Sequence, residues 1–273
     1  MLAVCATPIG NLEDVTLRVL RELAEAEVVL CEDTRHTRGL LARHGIDARL
    51  VSYHRHNEAA RVAELLPRLR AGERIALVSD AGLPAVNDPG ARLIAAALEA
   101  GVPVTVLPGP SAVETALVVS GLVGERYTFL GYLPRGEKAL AEVWAELAAS
   151  PQAAVAFESP RRLPATLRSL AEALPERPAA VCRELTKRFE EVARGSATEL
   201  AERFADPPKG EVTVVVGGGA AGGETGDAAA AAALAAVAEL VGAGVPRRQA
   251  ADVVARLTRV SRNTLYSKSL QSG

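Results

Sequence analysis

Short apolar runs recur along this chain, and each breaks into a Pro/Gly-rich or charged loop before a helical pattern resumes. Residues 2–6 read as a strand that leaves through Thr7-Pro-Ile-Gly-Asn11. Residues 27–31 leave through Glu32-Asp-Thr-Arg-His-Thr-Arg38, and the short run 49–52 through Tyr53-His-Arg-His-Asn-Glu58. Residues 74–79 leave through an eleven-residue loop, 80–90, that holds two acids, two glycines and two prolines. Residues 103–107 leave through Pro108-Gly-Pro-Ser-Ala112. Runs this short suit buried strands rather than helices, and their alternation with helical stretches predicts an α/β fold with a mostly parallel sheet. The helix at 17–26 has apolar residues at 17, 19, 20, 23 and 24 and a cap at Asp14 or Thr16. In open α/β sheets ligands sit beyond the carboxyl ends of the strands, so the loop at 80–90 is the first place to look for a site.

After Gly124 the pattern begins again. Strands are predicted at 126–130, 153–157 and 179–182, with helices at 137–149 and up to Leu174. Residues 189–195 and 211–216 read as a closing pair, expected to be antiparallel. The expected organisation is two α/β domains with mixed, mostly parallel sheets, followed by a small helical tail. The predicted boundaries are 1–112, 113–217, a Gly-rich linker at 218–227, and a basic tail at 228–273 containing two or three helices.

Composition narrows the function classes. The 273 residues are 49% hydrophobic with a net charge of −2, so a uniformly basic nucleic-acid coat is excluded and any RNA contact must use a local patch. Such a patch exists between residues 245 and 273: Arg247, Arg248, Arg256, Arg259, Arg262 and Lys268 face Asp252 alone, a net +5, with Asn263 and Tyr266 among them. Basic charge beside a stacking aromatic suits single-stranded RNA or phosphate; a solubilising helix face has the same composition. Cys5, Cys31 and Cys182 each lie in an apolar run, which fits buried free thiols in a reducing cytoplasm. No run reaches membrane-spanning length, and no signal peptide is expected.

Two usual signatures are missing: the sequence has no G-x-x-x-x-G-K-[ST] and no G-x-S-x-G. His54 and His56 beside Glu58 lack a second cluster at ligand spacing, so no metal site is expected. Glu32-Asp-Thr-Arg-His36 packs two acids, a hydroxyl, a guanidinium and an imidazole into five residues. That cluster suits ligand positioning or general-base work, or a capped, solvated helix start. Gly131-Tyr-Leu-Pro-Arg-Gly136 is a candidate substrate edge, with one aromatic and Arg135 held between Gly and Pro.

The polar exits, taken together, resemble the small-subunit ribosomal RNA cytidine 2′-O-methyltransferases of the tetrapyrrole methylase superfamily. The resemblance is carried by residues 6–14, Glu32-Asp-Thr-Arg-His-Thr37, Leu77-Val-Ser-Asp-Ala-Gly-x-Pro84, Asn87-Asp-Pro-Gly90 and Leu107-Pro-Gly-Pro-Ser111. It continues through Gly131-Tyr-Leu-Pro134, Glu158-Ser-Pro-x-Arg162, Arg183-Glu-Leu-Thr-Lys187, Lys209-Gly-Glu211 and Ser261-Arg-Asn-x-Leu-Tyr266. It departs at Leu83, where the family usually has Thr, and the loop after Pro134 lacks the basic run many relatives carry.

The resemblance implies a cleft between the two α/β domains that holds S-adenosylmethionine, a homodimer, and 16S ribosomal RNA or the small ribosomal subunit as partner, with no membrane association. The cofactor contacts it implies are Pro8, Ser79, Asp80, Ala81, Gly82, Val86, Ser111 and Ala112, with Phe157 and Gly195 from the second half. The candidate RNA contacts are His36, Arg135 and Arg162 at strand exits and Arg247, Arg248, Arg262, Tyr266 and Lys268 in the tail. The sulfonium methyl is already electrophilic, so alignment of a ribose 2′-oxygen supplies most of the catalysis, up to roughly 7–11 kcal/mol. Asp33 and Glu32 are the expected base or orienting groups, with Lys187 and Arg35 setting the local charge. Two alternatives remain open at this level: a tetrapyrrole as acceptor, and a non-catalytic ribosome-binding factor.

Overall fold

The computed structural model describes residues 1–219, 225–258 and 261–271. Arg259 and residues 220–224 of the Gly-rich stretch lie outside the described residues. The chain divides into two compact units, Met1–Ala148 with Gln152–Gly217, and Ala149–Pro151 with Gly218–Gly273.

The first unit begins with five strands, each of the first four followed by a helix: β1 (Leu2–Cys5), α1 (Leu17–Glu25), β2 (Val28–Cys31), α2 (Thr34–Arg43), β3 (Leu50–Ser52), α3 (Glu58–Arg70), β4 (Ile75–Val78), α4 (Ala91–Glu99), β5 (Val104–Leu107). Helix α5 (Ala112–Ser120) follows. The strands form one sheet in the order β3-β2-β4-β1-β5, and all four pairings are parallel. Residues of β1, β2 and β4 are buried throughout, as a sheet covered on both faces requires. Apolar side chains pack on both of its faces: Leu2, Val4, Leu30, Ile75 and Leu77 on one, Ala3, Cys5, Val29, Cys31 and Val78 on the other. Because the strands are parallel, the exits of β1, β2, β4 and β5 emerge at one end.

The same unit continues with β6 (Tyr127–Tyr132), α6 (Glu137–Ala149), β7 (Ala153–Glu158), α7 (Leu163–Ala173), β8 (Pro178–Arg183), β9 (Glu191–Ser196), α8 (Ala197–Arg203) and β10 (Val212–Val216). Their sheet runs β6-β7-β10-β8-β9. β6 and β7 are parallel, whereas β10 is antiparallel to β7 and β8, and β9 to β8. The second sheet is therefore mixed, and parallel pairs prevail over the two sheets together.

Two expectations are corrected here. The last strand does not pair with 189–195: β10 inserts at the centre, between β7 and β8, and β9 takes the edge. The reason lies in their side chains, since every residue of Val212-Thr-Val-Val-Val216 is buried while β9 carries Glu191 and Arg194. Helix α1 turns Val19, Glu22 and Leu23 inward and leaves Leu17, in its first turn, 77% exposed. Its cap is Thr16, whose hydroxyl accepts the Val19 N–H. Buried Glu22 is answered by Arg74 at 2.7 and 2.8 Å.

The second unit holds α9 (Thr225–Gly242), α10 (Arg247–Thr258) and α11 (Arg262–Gln271), packed around Ala233, Val237, Ala250, Ala251, Val254 and Leu265. Among the described residues no helix is long and apolar enough to cross a membrane.

Candidate functional site

The exit of β4 is built as a fixed cradle. Thr7 and Gly82 exchange backbone hydrogen bonds at 2.9 and 3.0 Å, which ties the exit of β1 to that of β4. The Thr7 hydroxyl donates to the Ser79 carbonyl at 2.9 Å, and the Ser79 hydroxyl to the Gly82 carbonyl at 3.1 Å. Gly82 has a φ of +74°, and Ala85 and Asn87 adopt left-handed backbone at +69° and +62°. Non-glycine residues hold such angles only where their surroundings impose them, and they gather at ligand-binding turns. The loop closes at Gly90, whose N–H donates to Glu58; Glu58 also accepts from the Tyr53 hydroxyl. Leu83, at the position where the resemblance expects Thr, is partly buried against the apolar layer of the first sheet.

Across from this loop the second sheet supplies β6, β7 and the ends of β8 and β10. Together they enclose a cavity of about 1060 Å³. From the first sheet come Glu32, the 80–83 turn, residues 86–88 and Pro108-Gly-Pro-Ser111; from the second come Phe129, Tyr132, Phe157, Glu158, Glu211 and Thr213. Every charged side chain of the lining is a carboxylate: Glu32, Asp80, Asp88, Glu114, Glu158 and Glu211. Three are committed elsewhere. Glu158, with no exposed side-chain surface, accepts from the Ser159 N–H and the Thr166 hydroxyl at 2.6 Å and faces Arg162 at 3.4 Å. Glu211 pairs with Lys187 at 2.8 Å, and Glu114 accepts from Ser111 and Tyr127. The Asp80 carboxylate accepts the Asp33 N–H at 3.1 Å. Burial, aided by the negative charges of Glu32 and Asp80, pushes the Asp88 carboxyl up to about 6. Next to it the Asn87 amide nitrogen is buried with no hydrogen-bond partner among the described residues. The cavity thus offers negative potential and an unused donor, which suits a ligand carrying a cation and an acceptor.

Of the candidate cofactor residues, Asp80, Ala81, Gly82, Val86, Ser111, Ala112 and Phe157 line this cavity. Pro8 and Ser79 are buried behind it, Ser79 holding the turn. Gly195 is elsewhere: it pairs with Ala179, at the far end of β8 from the lining residue Cys182. Its missing Cβ leaves room for Glu199, which would lie 2.7 Å away and forms the capping box of α8. Of the expected catalytic residues, Glu32 alone lines the cavity. Asp33 caps α2, accepting the Arg35 N–H at 2.8 Å; that bond holds its carboxyl below the usual range, opposite to what a base needs. Arg35 is 88% exposed and His36 is exposed.

Lys187 is a structural tie: its ammonium sits between Glu184 and Glu211, at 2.9 and 2.8 Å. The same turn clasps the exit of β1, where the Asn11 N–H donates to the Thr186 hydroxyl and Gly10 packs on Leu185, Thr186 and Lys187. Arg162 is likewise committed, donating to the carbonyls of Leu133 and Pro134 at 3.1 and 2.6 Å. Arg135 is exposed.

In the helical unit Arg247 donates to the Ser269 carbonyl and Arg262 pairs with Asp252, while Arg248, Tyr266 and Lys268 are exposed. Sequence reasoning missed Asp88, Asn87 and, of the aromatic lining, Phe129, whereas Tyr132, the aromatic of the candidate substrate edge 131–136, lines the cavity. Asp88 and Asn87 stood inside a loop already singled out, but only the fold shows which loop residues turn inward. No group of three metal-ligating side chains occurs among the described residues.

Comparison with known proteins places this geometry. A family model described as Tetrapyrrole (Corrin/Porphyrin) Methylases matches residues 1–201. The chain is 43% identical over 274 residues to a Mesorhizobium japonicum protein named Ribosomal RNA small subunit methyltransferase I, covering 99% of this chain and 91% of that protein. A Micromonospora olivasterospora protein of the same name is 51% identical over 168 residues, 62% of this chain and 54% of that protein. Among solved structures, the uroporphyrin-III-C-methyltransferase of Thermus thermophilus superposes with a TM-score of 0.56 at 26% identity, covering 79% of this chain and 93% of that one.

Proposed function

Since the chain belongs to the tetrapyrrole methylase family, we propose that it transfers the methyl group of S-adenosylmethionine to the ribose 2′-hydroxyl of a cytidine in small-subunit (16S) ribosomal RNA. The observation that carries the donor half of this reading is the cavity's charge. Its charged side chains are all carboxylates, and the donor is a sulfonium carrying an ammonium group. The acceptor half rests on the full-length similarity to proteins named for small-subunit ribosomal RNA.

In this reading the turn 80–82, Val86, Ser111 and Ala112 hold the donor, largely through backbone. The Asn87 amide supplies a donor hydrogen bond. The acceptor oxygen approaches the methyl group from the side opposite the sulfur, and its proton passes to a carboxylate. Asp88, with Glu32 beside it, takes that role in place of Asp33, because a base near pH 6 inside the cavity is matched to neutral-pH proton transfer. The exposed Arg248, Tyr266 and Lys268 of the helical unit serve RNA affinity, and Arg35, His36 and Arg135 contact RNA from outside the cavity. The reading further includes a homodimer, a cytoplasmic setting, and a division of the first unit into domains at residues 112/113.

The test is transfer of labelled methyl from S-adenosylmethionine to small ribosomal subunits that lack the modification. Label in RNA supports the proposal. Transfer to a tetrapyrrole and none to RNA would replace it with the small-molecule reading, and cofactor binding without transfer would favour a non-catalytic factor.

A further inference from the structure

The second sheet contains one irregularity, and it lies at the cavity. Along β6 and β7, Phe129 pairs with Val155 but Tyr132 pairs with Phe157, so β6 carries one extra residue. The extra residue is accommodated at Gly131, whose φ is +66°. A bulge of this kind exchanges the faces of all residues beyond it. Phe129 packs with Val155 and Phe157, and Leu130 against the opposite, helix-covered layer. Unbroken alternation would carry Tyr132 into that second layer and Leu133 into the cleft. Instead Leu133 is 3% exposed within the layer, and Tyr132 lines the cavity with 63% of its surface exposed.

The bulge is held from three sides. The Leu133 N–H donates to the Phe157 carbonyl at 3.2 Å. Arg162 holds the carbonyls of Leu133 and Pro134. Asn87, from the left-handed turn of the first sheet, lies so close that a Cβ on Gly131 would be 3.0 Å from its Oδ1. The ring of Tyr132 stands edge-to-face with Phe157 at 5.6 Å, and Phe157 with Phe129 at 5.2 Å. With Tyr127, four of the chain's nine aromatics line this cavity.

A large aromatic ring left exposed on a rigid support is a stacking platform for a nucleobase. The interior of the cavity excludes the rest of an RNA chain, because its carboxylates repel phosphates. What can enter is one nucleoside turned out of its stack. From these observations we infer that the Tyr132 ring is the platform on which the acceptor nucleobase stacks, with its ribose directed to the Asp88 end of the cavity. The inference rests on the RNA-methyltransferase reading above and adds to it the surface that receives the acceptor.

The test compares Tyr132→Ala, Tyr132→Phe and Tyr132→Trp in steady-state methyl transfer to small subunits, with the affinity for S-adenosylmethionine measured by calorimetry. Tyr132→Ala is expected to lower kcat/KM for the subunit by at least about tenfold. Cofactor affinity and melting temperature should stay unchanged, and Phe and Trp should restore transfer. Transfer by Tyr132→Ala equal to that of the unmodified chain would overturn the inference alone. A matching loss of cofactor affinity would also overturn it, by assigning the ring to the donor. Failure of the unmodified chain to label RNA would overturn the underlying reading and the inference with it.

Discussion

Asp88→Asn separates the energetic and chemical consequences of the acidic cavity. In the folded chain the Asp88 carboxyl keeps its proton up to about pH 6, against an ordinary value of 3.8, chiefly because it is buried and also because Glu32 and Asp80 repel its charge. Between those values the folded chain binds the proton that the unfolded chain has released, so stability falls as pH rises through the interval. The full shift corresponds to about 3 kcal/mol at ~1.4 kcal/mol per pH unit. Solvent on the open side of the cavity screens part of it, leaving about 1–2 kcal/mol. Asparagine keeps the shape and removes the charge. Asp88→Asn is therefore expected to match the unmodified chain at pH 4 apart from a constant packing offset, and to gain about 1–2 kcal/mol on it by pH 7.5. The assay is urea unfolding at a series of pH values, followed through Trp144, the single tryptophan, buried in the same compact unit. The same variant should lose about 10²–10⁴-fold in turnover while binding the cofactor, because the amide cannot accept the proton. A stability difference that does not change with pH, or turnover near that of the unmodified chain, would refute the reasoning.

Gly10→Ala forces a Cβ to 2.9 Å from the Leu185 carbonyl and within 2.7 Å of the Thr186 hydroxyl. About 1–3 kcal/mol should be lost in urea unfolding, since backbone must move. Arg162→Ala leaves the buried Glu158 without its cation and frees the carbonyls of Leu133 and Pro134. A loss of about 2–3 kcal/mol is expected, with a raised KM for the subunit, and Lys at this position should restore little because it cannot donate in a fork. Arg248→Glu should weaken subunit binding and lower its salt slope by about 1 with the melting temperature unchanged, as expected for an exposed phosphate contact.

The strand exits were legible because buried parallel strands read as short apolar runs, and their ends as Pro/Gly loops. The family resemblance carried by those loops then picked out Asp80, Ala81, Gly82, Val86, Ser111 and Ala112, which do share one cavity. Three features were hidden for physical reasons. Asp33 and Glu32 are adjacent, and only the cap on α2 shows that Asp33 turns to the helix while Glu32 faces the cavity. Gly195 was implied as a cofactor contact by the resemblance, but what approaches it is the carboxylate of Glu199 rather than a ligand. Tyr132 stood in a candidate substrate edge, but that its ring turns into the cavity depends on a bulge in β6 that the residue pattern does not show. Lys187 and Arg162 carry the charges expected of functional groups, yet each is tied down by a local carboxylate, Glu184 or Glu158, and by a second partner 24 or 29 positions away that no local pattern reveals.

The measurement that bears most directly on the account is nucleoside analysis of small-subunit RNA after transfer from tritiated S-adenosylmethionine, using subunits from cells lacking this protein. The account predicts label in 2′-O-methylcytidine, abolished or strongly reduced by Asp88→Asn. Label on a base, or on no nucleoside while the cofactor still binds, would contradict it.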